Sequence, residues 1–233
     1  MVNVCIDIGG TFTDFVVLYD EGKIESFKVS SSPRNPEQAV SEGLKKIKEP
    51  IDAVLHATTI ATNALLGQIG LELPKIALIT TKGFKDVIEI GRQNRPRLYD
   101  VFFEKPNPLV PRELRFEIDE RTDYTGDLLK PVNKSQLKPI IEQISKLDVD
   151  SVGISFLHSY VNPSNELAVN DVLTQHFKYV TSSHEVAPEP REYERTSTVV
   201  VNVVLMPLVT RYITSLETVL ESFGSPPLNI MAS

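Results

Sequence analysis

The first thirty residues alternate between apolar and other side chains in a pattern that predicts β-strands. Apolar residues occupy every second position from Val2 to Ile8, and aromatic and β-branched residues are enriched in residues 15–19 and 24–29. Gly9 and Gly10 lie between the first two of these runs. The sequence therefore predicts that the chain opens with a β-hairpin that turns at the two glycines.

The rest of the chain combines apolar residues at helical spacing with short, continuous apolar runs. The pattern predicts helices over residues 36–47, 60–66, 84–90, 137–147, 164–177 and 208–220. It predicts strands over residues 53–56, 75–80, 115–121, 151–157 and 179–182. The secondary structure of residues 196–204 stays undecided, because their β-branched side chains favour a strand although they lead directly into a helix. The alternation predicts an α/β fold with a mixed sheet that is flanked by helices.

Prolines and arginines are concentrated between the two stretches that alternate strands and helices. Residues 91–112 contain Pro96, Pro106, Pro108 and Pro111 beside Arg92, Arg95, Arg97 and Arg112. This density of proline excludes both a regular helix and a central strand. We therefore expect one domain, 1–233, with three parts. They are a hairpin and first sheet (1–90), a Pro/Arg-rich loop region (91–130) and a second α/β stretch (131–233).

Composition and charge limit the classes of function. The 233 residues are 41% hydrophobic and 24% charged, as in an ordinary soluble globular protein. A net charge of −7 gives no bulk attraction to nucleic acid or anionic lipid. The single cysteine, Cys5, excludes an internal disulfide, and we expect a cytoplasmic location. No targeting segment is visible. The most apolar run, residues 199–209, is interrupted by Asn202 and Pro207 and predicts no membrane span.

The strongest chemical signal is Asp-Ile-Gly-Gly-Thr-Phe-Thr-Asp at residues 7–14, on the predicted turn. Two glycines allow backbone N–H groups to approach an anion closely, and two threonine hydroxyls can donate to phosphate oxygens. Asp7, at the end of a strand, is suited to hold a hydrated Mg²⁺. A tight hairpin with a polar rim explains the same residues, so the spacing alone leaves both interpretations open. Neither a P-loop nor a Rossmann glycine motif occurs.

Seven further stretches carry a resemblance to a known family. They are residues 56–66, 79–86, 89–93, 95–99, 108–112, 120–121 and 191–197. Together, in this order, they resemble the amino-terminal domain of the hydantoinase A and 5-oxoprolinase family, which also contains an acetone carboxylase subunit. Residues 7–14 are similar to the first phosphate loop of the actin-like ATPase and sugar-kinase superfamily. The resemblance implies a ribonuclease H-like (actin-like ATPase) mixed sheet opened by a phosphate-loop β-hairpin.

The resemblance also implies an activity, namely the ATP-dependent opening of a cyclic amide such as a hydantoin, an N-methylhydantoin or 5-oxoproline. Mg²⁺-ATP would activate the amide carbonyl by phosphorylation, with catalysis mainly by placement and charge stabilisation. Asp7 is then the catalytic residue, which positions water and Mg²⁺ (the metal being held through water). The residues assigned to the cofactor phosphates are Gly9, Gly10, Thr11 and Thr13, supported by Asp14.

Two other groups of residues are candidates for substrate contacts. Thr58, Thr59, Thr62 and Asn63 follow a predicted strand, where α/β sheets usually bind ligands, although helix capping explains them too. The second group, which could grip a carboxylate or instead form a solvated loop or subunit contact, is Arg92, Gln93, Arg95 and Arg97. The four histidines show no metal-ligand spacing, and we interpret residues 191–195 as a salt-bridged helix face.

The resemblance implies partners and leaves alternatives. It stops near residues 230–233, where the family continues into a second ATPase domain, so we expect a missing carboxy-terminal domain and a hydantoinase B-like subunit or domain. Asn165-Glu166 stands where family members usually read His-Glu, so no histidine role carries over. The alternatives are a subunit of an ATP-dependent ketone (acetone) carboxylase, or a non-catalytic binding or scaffold module. The sequence specifies neither the substrate nor the oligomeric state.

Overall fold

Strands and helices alternate along the chain in a computed structural model that describes residues 1–32, 35–67, 72–92, 99–149 and 151–231. The strands are β1 (Val2–Ile8), β2 (Phe12–Tyr19), β3 (Ile24–Ser30), β4 (Ile51–Thr58), β5 (Ile76–Thr81), β6 (Arg115–Ile118), β7 (Arg121–Thr122), β8 (Leu128–Lys130), β9 (Ser151–Ser155), β10 (Tyr179–Ser182) and β11 (Leu228–Ile230). The α-helices are α1 (Pro36–Leu44), α2 (Ile60–Leu65), α3 (Val87–Ile90), α4 (Leu137–Ile144), α5 (Ser164–Leu173), α6 (Ser183–Val186) and α7 (Glu192–Glu221). Two 3₁₀ turns precede β6 and α4, at Arg112–Leu114 and Lys134–Gln136.

The chain divides into two compact units. Unit 1 comprises Met1–Leu73 and Leu208–Ser233, and unit 2 comprises Pro74–Pro207. These boundaries differ from the predicted divisions after residues 90 and 130. The difference arises because the last residues of the chain add a strand to the first sheet, which is a non-local pairing that no sequence pattern reveals.

Unit 1 is built on a mixed five-stranded sheet in the order β11-β4-β1-β2-β3. The strands β1, β2 and β3 form an antiparallel meander, whereas β4 pairs in parallel with both β1 and β11. The alternation of the sequence turns one face of β1 inward, so that every second residue from Val2 to Ile8 is buried. The predicted β-hairpin and the mixed α/β sheet are therefore confirmed.

One glycine permits a close approach between helix and sheet in unit 1. A Cβ atom built on Gly43 of α1 would lie 2.0 Å from Cζ of Phe15 on β2. The Phe15 ring is fully buried and stacks on Phe27 with the ring centroids 4.9 Å apart. The residues of α1 that pack toward this core are Ala39, Val40, Gly43 and Leu44. Only a residue without a side chain fits between α1 and the Phe15 ring.

Unit 2 contains a parallel four-stranded sheet in the order β10-β9-β5-β6. Every residue of β5 and of β9 is buried. This burial explains their continuous apolar runs, since strands of a parallel sheet are usually covered on both faces. Gly153 of β9 allows the side chain of Val199 on α7 to approach, because a Cβ there would be 2.8 Å from Val199 Cγ1. A separate two-stranded pair is formed by β7 and β8.

The long helix α7 contains both residues 196–204, whose structure the sequence left open, and the apolar run of residues 199–209. Residues 196–204 are helical, and α7 continues through Pro207. Among the described residues, α7 is one helix that is long and apolar enough to cross a membrane by length and composition alone, which is weak evidence for a span. Helices in the cores of soluble proteins meet the same criterion. Its buried residues include Val199, Val203 and Leu216, as expected for a core helix.

Most predicted elements are present with shifted ends. The predicted strand over residues 115–121 is divided into β6 and β7, and the helix expected over residues 84–90 is reduced to α3. In the described part of the Pro/Arg-rich region, residues 99–111 contain no helix or strand. The prolines account for this, because they cannot donate to a helix or a sheet ladder.

Candidate functional site

The carboxyl ends of β1 and β4 bring two predicted groups of residues to the same edge of the unit 1 sheet. The two strands are parallel neighbours with Ile8 aligned to Thr58. The glycine turn follows Ile8 directly, and Thr59 follows Thr58. In open α/β sheets, ligands usually bind beyond the carboxyl ends of strands. We refer to residues 7–11 together with Thr58, Thr59 and Asn63 as the strand-end cluster.

The turn of the hairpin is held by backbone hydrogen bonds. The Gly9 N–H donates to the Phe12 carbonyl at 3.0 Å, and the Ser31 N–H donates to the Thr11 carbonyl at 2.9 Å. A Cβ on Gly9 would lie 3.1 Å from the Phe12 carbonyl oxygen, so the turn leaves little room for a side chain there. Gly10 and Thr11 are exposed at its tip. The turn therefore presents backbone to solvent with few obstructing atoms.

Side-chain hydrogen bonds join the turn to the start of α2. The Thr59 hydroxyl donates to the Ile8 carbonyl at 3.2 Å, and the Asn63 amide donates to the Thr59 hydroxyl at 3.2 Å. The Thr58 hydroxyl accepts from the Ile60 N–H at 3.2 Å, whereas Thr59, the N-cap residue of α2, forms no side-chain cap. Thr62 is exposed on the same helix and, among the described residues, forms no side-chain hydrogen bond with this network. The strand-end cluster is thus physically connected.

Thr13 occupies a different position from its predicted phosphate contact. It is fully buried, and its hydroxyl shares a 2.9 Å hydrogen bond with the Ser31 hydroxyl. Alternation along β2 accounts for this, because Thr13 faces the core whereas Asp14 points to the other face. In this arrangement the Thr13 hydroxyl supports the turn from beneath, and Thr11 is the exposed threonine at its tip.

Two carboxylates face each other across the hairpin. Asp7 on β1 is directly aligned with Asp14 on β2, and Asp7 is exposed. Like charges directly opposite each other are unfavourable unless a cation compensates them. Lys28 on β3 provides part of this compensation through a 2.9 Å ion pair with Asp14. The remaining carboxylate suits Mg²⁺, which is usually held by one or two carboxylates together with waters and phosphate oxygens. Within the described residues, no group of three or more His, Cys, Asp or Glu side chains forms a metal cage.

A buried histidine, which the sequence gave no role, lies under the strand-end cluster. His56 on β4 is aligned with Ile6 on β1, and its Nδ1 lies 3.2 Å from the Ile6 carbonyl oxygen. A carbonyl can only accept, so Nδ1 carries the proton and Nε2 accepts from the Tyr212 hydroxyl at 2.6 Å. Burial lowers the pKa of His56. The signal in the sequence was a histidine directly after the apolar residues Ala53, Val54 and Leu55.

Unit 2 contains a separate cavity of about 490 Å³, a size typical of pockets for small ligands. Arg92, one of the predicted substrate residues, lies in its wall and forms an ion pair with Glu194. The other predicted members of that group, Gln93 and Arg95, lie outside the described residues, as does Arg97. The cavity is lined by Ile88, Glu89, Ile90, Gly91, Arg92, Phe103, Lys105, Pro106, Asn107, Pro108, Leu109, Tyr193, Ser197, Val200 and Val201.

Comparison with known proteins gives the family. The sequence pattern of the hydantoinase/oxoprolinase N-terminal region matches residues 3–177 of the chain. The chain belongs to this hydantoinase/oxoprolinase family. The resemblance seen in the sequence motifs is thereby confirmed.

Individual relatives of this family member match nearly the whole chain. An uncharacterised protein of Methanocaldococcus jannaschii is 47% identical and covers 95% of the chain, which spans 33% of that protein. Caprolactamase subunit alpha of Pseudomonas jessenii is 34% identical over 94% of the chain and 33% of that subunit. The crystal structure of ATP-dependent caprolactamase from Pseudomonas jessenii matches 98% of the chain and 35% of its own length, with a TM-score of 0.87 and 32% identity.

A second solved structure shares the fold. Nucleotide-free acetone carboxylase matches 96% of the chain and 35% of its own length, with a TM-score of 0.79 and 24% identity. At this identity the likeness concerns the fold alone. The chain spans about a third of the length of the relatives and structures described here.

The hydantoinase/oxoprolinase chain also contains a buried polar network in unit 2 that the sequence analysis missed. Glu166 is fully buried and accepts from the Ser183 hydroxyl at 2.6 Å and from His184 Nδ1 at 2.8 Å. Arg195, buried on α7, donates to the Phe156 carbonyl at 2.9 Å and to the Ser183 hydroxyl at 3.2 Å. Residues 191–195 therefore form an exposed salt-bridged face only in part, because Arg195 points inward.

A second buried carboxylate belongs to the same unit. Glu120 accepts hydrogen bonds from the Thr81 hydroxyl and from the Asn165 amide, the latter at 2.6 Å. Burial raises the pKa of Glu120. The Thr81 hydroxyl in turn accepts from the Leu157 N–H at 3.0 Å. Asn165 thus has a structural role in this family member. It stands at the position where other family members usually have a histidine.

Proposed function

We propose that the chain is the amino-terminal, nucleotide-binding part of an ATP-dependent cyclic-amide hydrolase of the hydantoinase or 5-oxoprolinase type. The observation that carries the proposal is the alignment of Ile8 with Thr58, which gathers the glycine turn, Asp7 and Thr59 at one sheet edge. Membership of the hydantoinase/oxoprolinase family supports the same reaction class. The whole protein's activity is part of the proposal, since the chain spans about a third of its relatives.

The phosphate role of the turn follows from its chemistry. We assign phosphate binding to the turn formed by Gly9, Gly10 and Thr11. The Gly9 N–H closes this turn on the Phe12 carbonyl, and Gly10 and Thr11 are exposed at its tip, where backbone N–H groups bind anions without side-chain obstruction. Thr13 supports the turn through Ser31. The antiparallel meander followed by parallel strands supports a ribonuclease H-like, actin-like ATPase sheet, in which this hairpin is the phosphate loop.

Asp7 and Asp14 are the proposed metal-site residues. Asp7 would hold Mg²⁺ through water and orient the water near the phosphates, while Asp14 supports it from the facing strand. Bound Mg²⁺-ATP would supply the phosphoryl group that activates the lactam carbonyl. The chain's own contribution is to place the phosphates and to compensate their charge, which is where catalysis of phosphoryl transfer mainly arises.

Thr58, Thr59, Thr62 and Asn63 are the proposed second wall of this site. Thr59 and Asn63 are hydrogen-bonded to each other, and Thr59 is hydrogen-bonded to the end of β1, which holds the wall in one geometry.

A carboxy-terminal ATPase domain would provide the other half of the cleft. A hydantoinase B-like subunit or domain is the further partner that we expect. We also propose a cytoplasmic location without nucleic acid or membrane as a partner, in keeping with the net charge of −7.

Calorimetric titration with Mg²⁺-ATP tests the nucleotide site. We expect binding by the chain, and an Asp7→Asn variant that weakens it at least about tenfold, because the variant loses the charge that holds the metal. Asp20→Asn is the matched control, since Asp20 lies at the opposite end of the hairpin and pairs on the surface with the amino terminus. Equal affinity in all three proteins would refute the metal role of Asp7. No binding even with the carboxy-terminal domain supplied would refute the nucleotide role.

The alternative chemistry is the activation of a ketone by a carboxylase subunit. The likeness to acetone carboxylase concerns the fold alone, so the structure gives this alternative no specific support beyond a shared architecture. Phosphate release by the complete protein separates the candidates when hydantoin, 5-oxoproline and ε-caprolactam are compared with acetone plus bicarbonate. Release with the ketone only would exclude the hydrolase. Unchanged turnover in Asp7→Asn would instead favour a non-catalytic scaffold.

A further inference from the structure

The cavity of unit 2 combines an apolar wall with an unbalanced positive charge. Val200 and Val201 of α7, with Ile88 and Leu109, supply apolar lining, and Ser197 and Tyr193 add polar atoms. Pockets for small ligands have this composition, a mostly apolar lining with a few polar groups that fix orientation. The cavity is therefore suited to a small ring that also carries a polar or charged group.

Two of the three charged side chains of the lining are already paired. Arg92 forms its ion pair with Glu194, and Glu89 receives the Arg115 guanidinium at 2.8 Å. Their charges are compensated within the unit. Neither pair leaves a net charge that would attract a ligand into the cavity.

Lys105 differs from these pairs. Its Nζ donates to the carbonyl oxygens of Glu89 and Ile90, at 3.5 and 3.3 Å, and it has no carboxylate partner among the described residues. These carbonyls lie at the end of α3, so Lys105 also caps that helix. An ammonium group has three donors, and the two carbonyls use two of them. One N–H and a full positive charge remain for a ligand.

From this arrangement we infer that the cavity is the binding site for the cyclic amide, and that the preferred substrate carries a carboxylate that pairs with Lys105. This inference rests on the proposed cyclic-amide chemistry. It selects amides of the 5-oxoproline type over neutral lactams. The apolar wall receives the ring, and a monoanion balances the charge of Lys105, which has no carboxylate partner in the part of the chain that the structure describes.

Nuclear magnetic resonance titration of the chain, labelled at the valine methyl groups, tests the site. The probes are 5-oxoproline and 2-pyrrolidinone, which is the same ring without the carboxylate. We expect 5-oxoproline to shift the resonances of Val200 and Val201 and to bind more tightly than 2-pyrrolidinone. Equal affinity for the two probes, shifts confined to residues outside the cavity, or no binding of either probe would overturn the inference.

Two variants locate the charge and the ring. Lys105→Gln should weaken 5-oxoproline at least about tenfold, the range of a lost charge-assisted hydrogen bond, and leave 2-pyrrolidinone nearly unchanged. Lys138→Gln is the matched control, because Lys138 is exposed on α4 and does not line the cavity. Ser197→Phe should fill the cavity and remove both probes. An unchanged affinity for 5-oxoproline in Lys105→Gln would show that the cation does not recognise the ligand.

The same samples separate this inference from the nucleotide proposal. Mg²⁺-ATP binding depends on Asp7, whereas ring binding depends on Lys105 and Ser197. Ring binding that persists without ATP binding would refute only the nucleotide site. ATP binding without ring binding would refute only the cavity assignment.

Discussion

The Tyr212 hydroxyl donates a 2.6 Å hydrogen bond to Nε2 of His56, and both side chains are buried. Nδ1 of the same imidazole donates to the Ile6 carbonyl at 3.2 Å. Ile6 immediately precedes Asp7, so this chain of hydrogen bonds ties the second half of α7 to the strand that leads into the glycine turn. The imidazole is neutral in this arrangement, because burial lowers the pKa of His56.

Tyr212→Phe is expected to destabilise the fold. The change removes the donor to His56 and leaves Nε2 buried without a partner, which costs about 1–3 kcal/mol of unfolding free energy. Urea unfolding at neutral pH measures the loss. Tyr124→Phe serves as the control, since Tyr124 is exposed and its hydroxyl has no hydrogen bond within the described residues. Equal stability of Tyr212→Phe and the control would mean that the buried pair contributes nothing.

His56 should make the fold less stable in mild acid. Its pKa in the folded protein is lowered from 6.5, so the unfolded chain takes up a proton that the folded imidazole resists. The stabilisation is complete above the unfolded pKa and is lost as the pH falls from about 6.5 toward the folded value. Unfolding free energies between pH 5 and 8 measure the slope. In His56→Gln, which removes the titration, this contribution to the slope should disappear.

His184 should contribute a slope of the opposite sign. The hydrogen bond to Glu166 raises the pKa of His184 above 6.5. Its stabilisation is therefore complete below the unfolded pKa and is lost as the pH rises through the folded value. The same titration of His184→Asn measures this effect, because asparagine can still donate to Glu166 but does not titrate. If both histidine variants changed the slope in the same direction, the assignment of one of the two pKa shifts would be wrong.

Arg195→Met should be among the most damaging single changes in unit 2. It would leave the Phe156 and Glu189 carbonyls without the Arg195 donor and would remove one of the hydrogen bonds to the Ser183 hydroxyl. Each buried acceptor left without a partner costs about 1–3 kcal/mol. Arg211→Met on the same helix is the control, because Arg211 is exposed and should change stability by about 0.5 kcal/mol or less. Chemical denaturation of both variants gives the comparison.

Gly43→Ala should destabilise unit 1 although alanine favours helices. The gain in helix propensity is about 1 kcal/mol, whereas forcing an extra carbon into a filled core costs about 1–3 kcal/mol. Here the new Cβ would collide with the ring of Phe15. Thermal unfolding measures the net loss. In a Phe15→Leu background the same substitution should cost less, and an identical cost in both backgrounds would show that the ring is not the obstacle.

Local patterns were enough to predict the hairpin, α1 and the buried strands of unit 2. Alternation along β1 indicates a half-buried strand, and the short length of the continuous apolar run of β5 favours a buried strand over a helix. Residues 196–204 were ambiguous because valine favours strands by propensity. The spacing of Val199, Val200, Val203 and Val204 was nevertheless helical, and packing on the sheet of unit 2 decided the outcome.

Contacts between residues that are distant in the sequence could not be predicted from local patterns. The pairing of β11 with β4 joins segments from opposite ends of the chain, so it changed the division into units without leaving a local pattern. Residues 191–195, which include Arg195, were interpreted as a salt-bridged helix face, and no role was predicted for Glu166, since charged side chains are rarely buried unless they are paired. Their pairing depends on Ser183 and Phe156, which are remote in sequence from at least one of them. For the candidate site, the motif gave the residues, but only strand register brought Thr58 beside Ile8.

The discontinuity of unit 1 has a consequence for synthesis. Unit 2 is one continuous segment, whereas unit 1 is completed by β11, which pairs with β4 near the end of the described chain. As the ribosome extends the chain, the hairpin and β4 must wait with one sheet edge unpaired and with His56 lacking Tyr212 until those late residues emerge. Unit 2 can complete its own sheet during that interval. The turn proposed to hold nucleotide would thus be made before unit 2 and would gain its full support only after unit 2.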